Sequence, residues 1–140
     1  MLSVILLSCK QKTAEEYFME AKNETEVKRE NKLLSIAIEL KSDYFDAIYE
    51  RACLNADRAM SLKDMIKNKM ADKGDDTKLY NDCLKDFEHV FKLKPNHAPS
   101  LFKRGIVQYH MGDTAKACVD LNRALALGYD CSDAVNKFCK

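Results

Sequence analysis

No tryptophan occurs in this sequence, and turn formers are scarce: four glycines and two prolines among 140 residues. A sandwich or small barrel needs many tight turns, so that scarcity argues against a strand-rich fold. Charge of one sign is also missing, since 23 Lys and Arg face 22 Asp and Glu for a formal net charge of +1. Without a basic field there is no footprint for nucleic acid, and without an acidic tract there is no disordered tail. The apolar run Leu2 to Leu7 falls far short of the ~20 residues a helix needs to cross a bilayer. What is present is 46% apolar and 32% charged, with Lys, Leu and Ala the commonest residues. That favours one folded, helical domain with a modest core.

Catalytic and metal signatures are missing as well. The six cysteines include no Cys-x-x-Cys. None of the three histidines, His89, His97 and His110, pairs with cysteine at zinc-like spacing. Cys83 and His89, six residues apart on one predicted helix, point in different directions. No nucleophile–base arrangement or phosphate-cradling glycine loop is found. The carboxylates sit beside Lys and Arg on helix surfaces, and Asp113 before Thr114 reads as a helix start. The expectation is a non-enzymatic protein with no cofactor and no metal.

Compared with itself, the chain repeats. Residues 34–52 align without gaps to residues 87–105. Leu34 matches Phe87, Ala37 matches Val90, Leu40 matches Leu93, Ile48 matches Leu101, and Arg51 matches Arg104. Ala52 matches Gly105, small against small. A third copy places Asp120, Leu121 and Ala124 on Asp86, Phe87 and Val90, 34 residues apart. Each copy is the end of one helix, a turn and the start of the next, with Pro95 in Lys94-Pro95-Asn96 unable to continue a helix.

The period and its small residues resemble the tetratricopeptide repeat, an antiparallel helix pair that stacks into a solenoid. The best unit runs from Ala98 to about Asp130. There Gly105 falls at the family's glycine, Gly112-Asp113 at the inter-helix turn, Ala117 and Ala124 at the two close-contact alanines. Leu101, Arg104 and Tyr129 depart from the pattern, standing for its tryptophan, leucine and proline. The resemblance implies an all-α solenoid of about three units plus a capping helix from Ser132, with Ser132 as its cap and Val135 and Phe138 covering the end of the stack.

The middle unit, about Tyr44 to Asn96, exceeds 34 residues, and its surplus lies between Asn55 and Asp82. Near-helical spacing of Ala52, Ala56, Ala59, Ile66 and Met70 predicts that both helices run on as a longer hairpin, the first about 25 residues long. The turn falls at Lys73-Gly74-Asp75-Asp76. The first unit's helices are expected over about Thr13 to Asn23 and Glu26 to Lys41, with the break at Asn23-Glu24-Thr25, which also matches a glycosylation sequon.

Cys118 and Cys139 lie equally far from a turn centred between Gly128 and Tyr129, so an antiparallel pair holds them level. In an exported protein they are candidates for a disulfide; in a cytosol they are two reduced cysteines in an apolar seam. At the N-terminus, Leu6-Leu7-Ser8-Cys9 resembles a bacterial lipoprotein box. Residues 1–8 then read as a truncated signal with its true start upstream, Cys9 as the lipidated residue, 9–12 as a linker and 13–140 as the helical domain. The other reading is a cytosolic chain with a greasy end.

In the family the first helix of each pair lines a groove that receives a peptide or partner segment. Carried over, the groove comprises Tyr49, Cys53 and Ala56 of the middle unit and Phe102, Ile106, Tyr109 and His110 of the last, a lining with little charge. Met60, Met65 and Met70 form either a contact face on the hairpin or its internal packing. The function expected is a protein-interaction scaffold or adaptor in a bacterial envelope, held to the membrane through Cys9. The alternatives are a cytosolic adaptor, an accessory subunit of an envelope enzyme, and self-association through the groove.

Overall fold

The computed structural model describes residues 11–69 and 75–140, so the expected lipidation at Cys9, Met70 and most of the hairpin turn lie outside the described residues. Among the described residues every regular element is a helix. These are α1 (Ala14–Lys22), α2 (Val27–Leu40), α3 (Phe45–Lys67), α4 (Asp75–Leu93), α5 (Ala98–His110), α6 (Thr114–Ala126) and α7 (Ser132–Phe138). They pack as α1 with α2, α3 with α4 and α5 with α6.

Local chemistry sets the ends. Thr13 accepts from the Glu16 amide while Glu16 accepts from the Thr13 amide, a reciprocal cap that starts α1. Glu24 shapes the first turn, its carboxylate accepting from the Thr25 and Glu26 amides at 2.8 and 3.0 Å. Asp113 caps α6 through the Lys116 amide. Gly112 and Gly128 end α5 and α6 at φ of +90° and +87°, the left-handed region that a side chain disfavours. Ser132, by contrast, does not cap α7: Cys131 holds that position, and the Ser132 hydroxyl donates to Asp130 instead.

The long hairpin is present, with α3 spanning 23 residues, about 34 Å at ~1.5 Å per residue, and α4 spanning 19. Its interior is built on small residues. Ala52, Ala56 and Ala59 of α3 meet Tyr80, Cys83 and Phe87 of α4, and Val107 of α5 joins them. Met60 packs against this cluster, whereas Met65 is exposed. Alanine's lack of bulk lets α3 and α4 approach along their length, and Phe87 fills the space left at the junction with α5.

One electrostatic contact recurs with the repeat. Arg51 of α3 grips Asp86 of α4 through Nε and Nη2 at 2.8 and 2.7 Å. Arg104 of α5 grips Asp120 of α6 through the same two nitrogens at 2.6 and 2.8 Å. The paired residues lie 35 apart in the first case and 16 in the second, and the difference is the hairpin's extra length. In the first unit Leu33 takes the aspartate's place and is buried, so the clasp belongs to the second and third units.

Gly105 marks the closest approach of α5 and α6. A Cβ there would sit 2.9 Å from Leu121 Cγ and 3.2 Å from the Ala117 carbonyl oxygen. Replacing glycine by alanine inside a helix gains ~1 kcal/mol of propensity, while overpacking costs ~1–3 kcal/mol. Gly105→Ala is therefore expected to lose about 1 kcal/mol net in urea unfolding. A stabilised variant would show that α6 can move aside freely.

Candidate protein-binding face

The first helices α1, α3 and α5 lie side by side, and two ion pairs bridge them. Lys22 of α1 meets Glu50 of α3 at 2.8 Å, and Lys103 of α5 meets Asp57 of α3 at 3.1 Å. Glu50, Cys53 and Asp57 follow one another at helical spacing, so they share a stripe of α3. The lining thus carries more charge than its apolar residues suggested. The reason is geometric: a pair bridging two helices depends on how the helices neighbour each other, which one helix's own pattern does not contain.

The aromatic residues form short stacks along this face. Tyr49 stands edge-on to His97 at 5.0 Å and stacks on Phe45 at 6.1 Å. His97 also meets Phe45 edge-on, and the Lys94 ammonium lies 3.6 Å from the centre of the Phe45 ring. Phe102 packs on Tyr129 at 5.2 Å, and Tyr109 stacks on Phe138 at 3.9 Å. Tyr49, Cys53, Phe102, Ile106 and His110 are all partly exposed, and Tyr109 is exposed. Ala56 differs, being fully buried among Tyr80, Cys83, Phe87 and Val107, where no partner reaches it.

Protonation follows burial. The Tyr49 phenol is pushed well above its usual range by desolvation, with the Cys53 thiol beside it. Burial raises the Cys53 thiol to about 11 and the Cys83 thiol to about 12. Burial also raises the Cys131 thiol. All three are therefore neutral thiols near pH 7, and the thiolate is the nucleophilic form. His110 is lowered by burial and by Lys63, whose ammonium donates to the His110 carbonyl and ties the hairpin to α5. His97 is lowered by burial and by Lys94, so both rings are mainly neutral at pH 7. Among the described residues no group of three or more His, Cys, Asp or Glu is placed to hold a metal ion.

The far end of the face is closed by the C-terminal segment. Cys131 is buried against Leu101 and Ala124, with Val135 and Tyr129 packed around them. Cys118 of α6 and Cys139 after α7 are joined by a disulfide with Cα atoms 5.5 Å apart. The burial of Cys131 had no signal in the sequence, because its partners come from both α5 and α6.

No protein-family model matches the chain, and no curated protein matches it in sequence. Among solved structures, the crystal structure of MamA is similar over 86% of this chain, with a TM-score of 0.62 at 16% identity. This chain spans 61% of the length of that one. MamA contains tetratricopeptide repeats, and the likeness extends to the helix-pair fold alone. The chain is an all-α, tetratricopeptide-like helical solenoid.

Proposed function

We propose that the chain is a non-enzymatic scaffold that holds a segment of another protein along the face of α3 and α5. The observation that carries this reading is the row of partly exposed aromatic and aliphatic side chains, Tyr49, Phe102, Ile106 and Tyr109, on successive first helices. Aromatic anchors set on rigid helices suit partner recognition. The neutral thiols Cys53, Cys83 and Cys131 argue against cysteine nucleophilic chemistry. The finer part of the proposal is a bacterial envelope lipoprotein tethered through Cys9, for which the Cys118–Cys139 bond offers support, since disulfides persist in oxidising compartments.

Two measurements test the two parts. Intact mass of the protein from its own host is expected to show residues 1–8 removed, acyl mass on Cys9, and a two-proton gain on reduction. An unprocessed chain with free thiols would make it a cytosolic adaptor. For the face, in-cell photocrosslinking from position 106 is expected to trap one main protein. Tyr49→Ala with Phe102→Ala should cut that product about tenfold or more, with helicity by circular dichroism retained. An unchanged product would remove this face as the binding surface.

A further inference from the structure

Two cavities occupy the same place in successive units, on the side of the second helices. One, of about 280 Å³, is bounded by Asn31 and Ser35 of α2, Arg51 and Asn55 of α3 and Asp86 of α4. The other, of about 410 Å³, is bounded by Leu84 and Glu88 of α4, Arg104 and Gln108 of α5 and Asp120 of α6. Asn31 and Leu84, Ser35 and Glu88, and Asn55 and Gln108 are each separated by 53 residues, as are the aligned repeats themselves.

The first cavity is satisfied from within. Asn31 Nδ2 donates to Asn55 Oδ1 at 2.8 Å, and Arg51 Nη1 donates to Ser35 Oγ at 3.1 Å. In the second cavity those partners have changed. Leu84 stands where the asparagine would face Gln108, and Gln108 Oε1 is buried with no hydrogen-bond partner. Buried acceptors are rarely left so, and a donor entering the cavity would satisfy this one. Val119 replaces the first cavity's Lys85 and is 68% exposed, with Met111 exposed beside it.

The charges of the second cavity point to the kind of donor. Arg104 is held by Asp120, and Lys116 by Asp113 at 2.9 Å. Glu88 is left as the wall's one carboxylate without an ion pair among the described residues. An apolar wall, an orphan acceptor and an uncompensated carboxylate together match a cation on an aliphatic stem. We propose that this cavity receives a Lys or Arg side chain of a partner protein. Its methylenes lie along Leu84, Met111 and Val119, and its N–H groups reach Gln108 Oε1 and Glu88. The proposal rests on reading the chain as a protein-binding scaffold, but not on the face of α3 and α5.

The test needs no partner. The full chain is titrated with Nα-acetyl-arginine methylamide, and with Nα-acetyl-norleucine methylamide as the neutral probe, while NMR follows the Leu84 and Val119 methyls and the Gln108 amide. The arginine probe is expected to saturate and to bind about fivefold more tightly than the neutral one. Glu88→Gln, at an exposed position, should weaken it about two- to fivefold with signal dispersion unchanged. The Asn31 and Asn55 amides of the satisfied cavity should stay still. Equal affinity for both probes, indifference to Glu88→Gln, equal response at Asn55, or no saturation by tens of millimolar would each overturn the proposal. Tyr49→Ala with Phe102→Ala leaves these shifts unaltered, so failure of one surface is distinguishable from failure of the other.

Discussion

Phe87→Ala is expected to lower the unfolding free energy by about 4 kcal/mol. Phe87 is wholly buried in one cluster with Ala52 and Ala56 of α3, Cys83 of its own helix and Val107 of α5. Of the buried neighbours Ala52, Ala56 and Cys83 are small and have little side chain to swing into the gap, while the larger Tyr49, Leu84 and Phe91 pack on the cluster from its partly exposed edge. The cavity term therefore stays near its upper range, whereas a collapsible site would recover part of it. Against a typical domain stability of ~5–15 kcal/mol the loss is severe. It also falls at the joint between the second and third units, and in a stacked repeat each unit leans on its neighbour. Urea unfolding followed by circular dichroism and tyrosine fluorescence should show a lower midpoint and a broadened transition. Phe87→Leu is the control, because Leu34 and Leu121 hold the equivalent position and both are fully buried. It should cost about 1 kcal/mol. A loss below about 2 kcal/mol for the alanine variant would mean that α3 and α5 close over the space.

Register was the part of this protein most legible from sequence. Gly105 and Ala117 occur where two helices approach most closely and Ala124 is fully buried, and such places admit few residue types, so position and identity are tightly coupled. The long hairpin was legible for a related reason: α3 carries alanine on one face for several turns without a breaker, and it extends over 23 residues where about 25 were expected. Faces shared between helices were harder to read. Ala56 obeys the periodicity of a groove residue, yet it is buried in the core, because α4 and the incoming Val107 cover it. Glu50 and Asp57 look like solvated charges in isolation but bridge to α1 and α5. The matching arginines Arg51 and Arg104 were visible as a repeat. Their aspartates were aligned too, but the unequal spacing hid the pairing until the hairpin placed Asp86 beside Arg51. The orphaned Gln108 becomes intelligible only by laying one unit over another and finding Leu84 in the asparagine's place.

Asp120→Ala is expected to cost about 3 kcal/mol, the low end for breaking a buried pair by removing one partner. The side chain of Asp120 is only 5% exposed, and that of Arg104 is 23% exposed. Without it the guanidinium keeps the Phe91 ring, 4.3 Å away, and Glu88, which lines the same cavity, makes no ion pair with it among the described residues. Asp86→Ala should cost less, about 2 kcal/mol, because Arg51 retains Ser35 Oγ at 3.1 Å. The ordering of the two variants is the informative result, since the clasps are otherwise alike in geometry. Replacing both members, Arg104→Met with Asp120→Leu, should restore most of the lost stability, because an apolar pair of similar volume has no ion to strand. Urea midpoints of the single and double variants give the coupling directly. If Asp86→Ala proves as costly as Asp120→Ala, the serine bond does not shelter Arg51. If the double replacement stays as unstable as Asp120→Ala, the clasp contributes packing shape that Met and Leu cannot supply, and the penalty does not come from a stranded charge.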